Sequence, residues 1–180
     1  QAIVRQEPVA RPRLRSFRGY MSWLERHDMA AAHAFWQAEM AGFSEPTPLH
    51  VDSPVARPEQ APEQVGDFDQ TLSIAQTQRL QQLCQQYQQT PNTWIQGAWA
   101  LLLSRYSGNR DVLFGVTVAG RPTDLAGVEE MVGLFINSLP LRIDVDPEVP
   151  VADWLQALLS HHAQLREHES ASLVDIQRCS

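Results

Sequence analysis

Cysteine is nearly missing from this chain, with only Cys84 and Cys179 in 180 residues. Two residues so far apart build neither a disulfide framework nor a cysteine metal cage, and each is expected to be a buried thiol or an ordinary surface residue, not a nucleophile. No apolar run approaches the length of a membrane span, and residues 1–30 lack the apolar core of a signal peptide. Those two absences set the expectation of a soluble, cytoplasmic protein. Positive charge is scarce as well, with 14 Lys and Arg against 21 Asp and Glu for a net charge of −7. Nucleic-acid affinity draws on neutralisation of phosphates by Lys and Arg, so DNA and RNA are not expected partners. The glycines form neither GxGxxG nor GxxxxGK followed by Ser or Thr, which leaves nucleotide binding without its backbone cradle.

Where arginine does cluster, at Arg5, Arg11, Arg13, Arg15 and Arg18, Pro8 and Pro12 interrupt it, as in a flexible arm or interdomain connector. The start at Gln1, just before this tract, suggests a piece of a longer polypeptide. The 43% apolar content nevertheless suffices for the core of one ordinary globular domain.

Patterning then places the elements. Phe17, Tyr20 and Trp23 recur at the spacing of one helical turn. A helix over 28–41 has Asp28 as its cap, Met29, Ala32, Trp36 and Met40 as its apolar stripe, and Gly42 as its stop. Five prolines, at 46, 48, 54, 58 and 62, predict an extended connector over 46–62. Phe68, Leu72 and Ile74 alternate with polar residues and predict a strand with one wet face. A helix follows from about Ser73 or Ala75, with Leu80, Leu83, Cys84 and Tyr87 as its stripe.

Thr90 caps and Pro91 opens the next helix, which carries Trp94, Ile95, Trp99, Leu101 to Leu103 and Tyr106 around much of its circumference and is expected to be wedged between sheet and other helices. Val112 to Val118 has apolar residues on both faces and reads as a central strand. Leu139 to Val145 is one-sided, with Leu139, Leu141, Ile143 and Val145 inward. The last strong helix spans roughly 151–168 on Trp154, Leu155, Leu158, Leu159, His162 and Leu165. Strands separated by helices or long excursions predict an α/β layered domain with a sheet of about three strands, small enough to need a further packed surface.

Arg121 follows a strand and Gly120 and precedes Pro122, so its guanidinium emerges from a fixed turn; a plain solvent-exposed turn arginine fits the same spacing. Asn137 stands where the second clear strand begins, placed to satisfy backbone groups there. Gly115, Gly120 and Gly133 are positions for tight approach or unusual dihedrals. His27, His33, His50 and His168 have no carboxylate or thiol at a spacing that compels a site.

Four segments go further than this pattern: FRGYMSWL at 17–24, NTWIQGAWALLLSRYSGNRDVLFGVTVAGRP at 92–122, VEEMVGLFINSLPLR at 128–142 and REHESASLVDIQRCS at 166–180. Together they closely resemble the C-terminal half of a condensation domain from a nonribosomal peptide synthetase. The resemblance implies a chloramphenicol-acetyltransferase-like α/β subdomain, truncated, over residues 66–180, preceded by an N-terminal arm, helix and Pro-rich connector over 1–65. It implies a parent that forms an amide between a carrier-bound donor thioester and an acceptor amine, in secondary metabolism such as antibiotic biosynthesis. The implied partners are the N-terminal condensation subdomain, donor and acceptor peptidyl carrier domains and an adjacent adenylation domain. Phosphopantetheine would sit on the carriers, with no cofactor bound directly.

The family's HHxxxDG motif is absent from these residues. His161-His162 begins HHAQLRE, so Arg166 and Glu167 stand where Asp and Gly belong, and adjacent histidines on a helix diverge by about 100°. The resemblance also places Cys179 where the family usually has Trp. It gives Arg121 a role in pairing with the motif Asp of the opposite subdomain, organising the active site more than holding the fold, and puts the Asn137 block beside the tunnel between subdomains. The isolated chain is expected to lack amide-forming activity. The alternatives are a noncatalytic scaffold or carrier-docking domain, or part of an epimerisation or cyclisation domain.

Overall fold

In the computed structural model, residues 14–49 and 66–179 are described. Most of the proline-rich connector, and His50, lie outside them. The elements run α1 Arg18–Leu24, α2 Met29–Met40, α3 Ile74–Gln86, α4 Pro91–Ser107, β1 Asp111–Val118, a 3-10 turn Val128–Glu130, β2 Asn137–Asp144, α5 Val151–Glu167 and α6 Leu173–Gln177. β1 and β2 form a two-stranded sheet. It is antiparallel, with the Val145 amide donating to the Arg110 carbonyl at 2.9 Å beside the strand ends. The chain divides into two compact units, one of Gln1–Ala41, Val116–Leu139 and His168–Ser180 and the other of Gly42–Gly115 and Pro140–Glu167.

The helices start where capping chemistry dictates. Asp28 accepts from the Ala30 and Ala31 amides at the head of α2. At α3, Ser73 and Gln76 close a reciprocal capping box, satisfying two backbone donors that the helix itself leaves unpaired. Thr90 accepts from the Thr93 amide, and Pro91 takes a first-turn position that needs no N–H. Gly108, left-handed at φ 75°, ends α4 as a side chain with a Cβ would not.

Three expectations need correction. Residues 66–73 form no strand, and Ile74 is already helical. Phe68 is 88% exposed, so its alternation has neither a ladder nor a core to serve, and the Ser73 capping box commits the chain to helix immediately after it. Second, β1 is not central, because the described sheet has no third strand and Gly115 and Thr117 are exposed.

Third, α4 is not wedged. Thr93, Gly97, Ala100 and Leu103 are buried, while Ile95, Trp99, Leu101, Leu102 and Tyr106 remain 40–62% exposed. Gly97 admits α5 closely, since a Cβ there would lie 3.1 Å from the Trp154 ring and collide with Leu155. That contact covers one side of a helix that is apolar on several.

The second unit packs α4 against α5 and α3. Leu155, Leu158 and Leu165 turn inward from α5, and Trp154 Nε1 donates to the Asp144 carbonyl at 2.8 Å. Arg142 grips Asp111 side-on, Nε to Oδ1 at 3.0 Å and Nη2 to Oδ2 at 2.7 Å. Thr47 Oγ1 caps the Leu113 amide on the outer edge of β1 at 2.9 Å. The inward face read for β2 is present, with Leu139, Leu141 and Ile143 all buried.

In the first unit, α2 buries Ala32, Trp36 and Met40 and packs on α6. Trp36 Nε1 donates to the His168 carbonyl at 3.2 Å. A separate cluster gathers Val128, Met131 and Phe135 against Phe17, Tyr20 and Leu125.

Candidate functional site

The candidate site is built on the excursion from Ala119 to Ile136, between β1 and β2. Gly120 sets its start. The residue is left-handed at φ 61°, and a Cβ on it would overlap the Phe135 carbonyl oxygen, so only glycine lets the two ends of the excursion touch. A Cβ on Gly133 would likewise run into the Phe17 ring, whereas one on Gly115 would meet nothing. Of the three glycines singled out in the sequence, two are required by close approach.

Arg121 then turns inward along the excursion. Nη1 donates to the carbonyls of Val128 and Met131, and Nη2 to Met131 at 3.3 Å. The guanidinium carbon lies 4.0 Å from the centroid of the Phe135 ring. These carbonyls lie at and just after the 3-10 turn, and the Val128 oxygen, which already accepts from the Met131 amide at 3.2 Å, uses its second lone pair for the guanidinium. Hydrogen bonds to a charged group contribute about 1.5–3 kcal/mol each, and the ring contact adds about 0.5–2 kcal/mol. Arg121 therefore ties the loop together from within, a structural contact beside the active-site organisation that the resemblance implies for it.

The clamp leaves part of the guanidinium open. Of its five N–H groups, the two on Nη1 and one on Nη2 are used. Nε–H and the second Nη2 hydrogen, the pair that forms the side-on fork, have no partner among the described residues. Arg142 uses that same fork on Asp111, so this chain contains a worked case of what the open edge of Arg121 can take.

Asn137 is engaged differently. Its Nδ2 donates to both the Glu169 and Ala171 carbonyls at 2.8 Å, and its Oδ1 accepts from the Ser138 amide at 2.9 Å. Both amide hydrogens are spent on backbone, clipping the start of β2 to the turn ahead of α6.

Supporting contacts of the loop were not legible in the sequence. Trp23 Nε1 donates to Asp124 Oδ2 at 3.0 Å and Arg15 Nη1 to the Ala126 carbonyl at 3.1 Å. Phe17 and Tyr20 meet the Phe135 ring edge-on at 5.1 and 4.8 Å between centroids. The Tyr20 hydroxyl is pushed above its usual pKa by burial and by the carboxylate of Glu169. The aromatic spacing of α1 was the only signal available. Nothing marked Asp124 as its partner.

His161 and His162 both lie on α5. Burial, and then the neighbouring His161, pushes His162 below the ordinary imidazole value, and its Nε2 is buried without a partner. Among the described residues no group of three or more His, Cys, Asp or Glu side chains is placed to hold a metal ion. No helix among them is long and apolar enough to cross a membrane.

Comparison with known proteins supplies the frame. Residues 1–180 match the family described as Condensation domain. The chain is 44% identical over 177 residues to one component of the linear gramicidin synthase of Brevibacillus parabrevis, spanning 98% of this chain and 4% of that protein. It is 45% identical over 166 residues to chondramide synthase cmdD of Chondromyces crocatus, spanning 91% of this chain and 4% of that one. The solved first condensation domain of the CDA synthetase superposes with a TM-score of 0.74 at 21% identity, over 98% of this chain and 39% of that chain, a likeness of fold. The chain belongs to the condensation-domain family.

Proposed function

We propose that this chain is the C-terminal part of a condensation domain in a nonribosomal peptide synthetase, and that it supplies one wall of the tunnel in which an amide bond forms. The observation that carries its role is the half-used guanidinium of Arg121, fixed by two loop carbonyls and a ring, with its side-on fork open. A fork of that geometry takes a carboxylate bidentately. In this reading the carboxylate is the Asp of the HHxxxDG motif, contributed by the N-terminal subdomain. Arg121 is then a positioning residue, since a guanidinium stays protonated near neutral pH and moves no proton itself. Asn137 supports the same region by fixing where β2 begins.

The reaction so served joins two carrier-bound groups. The acceptor amine attacks the donor thioester carbonyl, the C–N bond forms, the C–S bond breaks, and the donor thiol leaves with a proton. The partners are therefore the N-terminal subdomain, donor and acceptor carrier domains bearing phosphopantetheine, and an adenylation domain that loads them, in the cytoplasm. Holding both reactants in one tunnel supplies proximity, and the motif histidine belongs to the part outside this chain.

The test is made in the complete synthetase module with loaded donor and acceptor carriers. Arg121→Lys keeps the charge and removes the planar fork. Strong loss of dipeptide formation in Arg121→Lys, with substrate loading unchanged, supports the reading. Turnover close to the parent's rejects it. The 180-residue chain alone should form no amide above a no-protein control.

A further inference from the structure

Cys179 lies just beyond α6, facing α2. Its sulfur is 3.8 Å from Nε2 and 3.9 Å from Nδ1 of His33, so a small turn of the ring brings either nitrogen onto the thiol. The thiol donates to the Asp175 carbonyl at 3.3 Å, and rotation about the Cβ–Sγ bond redirects its proton to His33. Beside this pair is a cavity of about 280 Å³, nearly twice the ~150 Å³ that admits a benzene ring. Met29, Trp36, Ala171 and Ile176 give it an apolar lining. The walls are firm, because Trp36 and Ile176 are each 1% exposed and the Trp36 indole is tied to the His168 carbonyl. Helical spacing puts Met29, His33 and Trp36 on one side of α2.

We propose that Cys179 is a site of covalent modification by small uncharged α,β-unsaturated carbonyl compounds with an apolar tail, the tail lying in this cavity. The selectivity follows from the lining: the apolar walls formed by Met29, Trp36, Ala171 and Ile176 favour a hydrocarbon chain and penalise the desolvation of a charged reagent. In the reaction the Cys179 sulfur attacks the β-carbon and one S–C bond forms. The alkene electron pair moves to the α-carbon as an enolate, His33 takes the thiol proton, and that proton is returned to the α-carbon. The step is a net addition, with no leaving group and no oxidant. Cys84 is a built-in comparison, since it is only 4% exposed within α3.

The experiment treats the protein with trans-2-octenal and, separately, with iodoacetate, and locates adducts by intact mass and peptide mapping. One octenal should add at Cys179 while Cys84 stays unmodified, and Cys179→Ser should abolish the adduct. The rate ratio of octenal to iodoacetate should exceed that of a free cysteine peptide at least about tenfold. His33→Phe should slow the octenal reaction at least about tenfold, proton transfer being worth that or more, with circular dichroism and melting unchanged. His33→Gln at this exposed position serves if the Phe variant fails to fold. Equal labelling of Cys84, a rate ratio no higher than the peptide's, or an unchanged rate in the His33 variant overturns the proposal.

Discussion

The carbonyl oxygen of Phe135 occupies the space in which a Cβ on Gly120 would stand, and Gly120 is left-handed at φ 61°. Two penalties therefore coincide at one residue, a disfavoured dihedral and a collision with backbone that has no rotamer to escape into. Gly120→Ala should cost about 1–3 kcal/mol or more, lowering the melting temperature by several degrees and detaching Arg121 from its carbonyls. Gly115→Ala is the control: with nothing within 4 Å of its Cβ, it should leave the transition where it is. Equal behaviour of the two variants in a thermal melt would remove the steric argument.

Arg121→Ala should destabilise the protein measurably, because it leaves the Val128 and Met131 carbonyls without their charged donor and the Phe135 ring without its cover. A loss of about 2–4 kcal/mol in urea unfolding is expected from two or more charge-assisted hydrogen bonds. Arg121→Lys should recover part of that loss and none of the side-on fork. Stability and activity thus separate in the lysine variant.

The bond from Trp23 to Asp124 at 3.0 Å joins α1 to the loop across a long stretch of chain at an exposed position. Trp23→Phe and Asp124→Ala should each cost about 1 kcal/mol, and the double variant should cost less than their sum. Strict additivity in a double-mutant cycle would show that the contact contributes nothing of its own.

How much of this was legible depended on where the information sits. Caps are local, so Asp28, Thr90 with Pro91 and the bounds of α5 were readable from a few neighbouring residues, whereas the capping box at Ser73 was hidden under the alternation that leads into it. The inward face of β2 was equally plain, since Leu139, Leu141 and Ile143 repeat with the pleat. Phe68 to Ile74 misled because alternation states only which side of a strand would be apolar, and says nothing about whether a neighbour exists to pair with it. The circumference of α4 misled in a related way: an apolar sequence names what prefers burial, and the covering surface is a separate matter. Arg121 was recognisable as a residue held in a turn, yet its partners are carbonyls, which every residue carries and no sequence pattern marks. Cys179 and His33 meet only because α2 and α6 pack together, and a contact so distant in sequence has no local signature.

The exposed side of α4 should bind a hydrophobic dye. Ile95, Trp99, Leu102 and Tyr106 recur at helical spacing and are 62, 43, 43 and 50% exposed, a contiguous apolar patch of the kind that soluble surfaces rarely leave open. The isolated chain should enhance anilinonaphthalene sulfonate fluorescence, and Trp99→Lys should reduce that enhancement severalfold without lowering the melting temperature. Unchanged dye binding in Trp99→Lys would place the apolar surface elsewhere.

Stability should fall on mild acidification, and His162 sets the direction. Burial holds its folded-state pKa below the ordinary 6.5, so between the folded and unfolded values the unfolded chain binds more protons. Stability then rises with pH across that window. The contribution is fully present above about pH 6.5 and is lost as pH falls toward the folded value, because protonating the half-buried ring opposes both its desolvation and the neighbouring His161. His162→Gln should flatten the pH dependence of urea unfolding between pH 7 and 5 relative to the parent. A slope that is identical in the parent and in His162→Gln would mean that other groups carry the acid sensitivity.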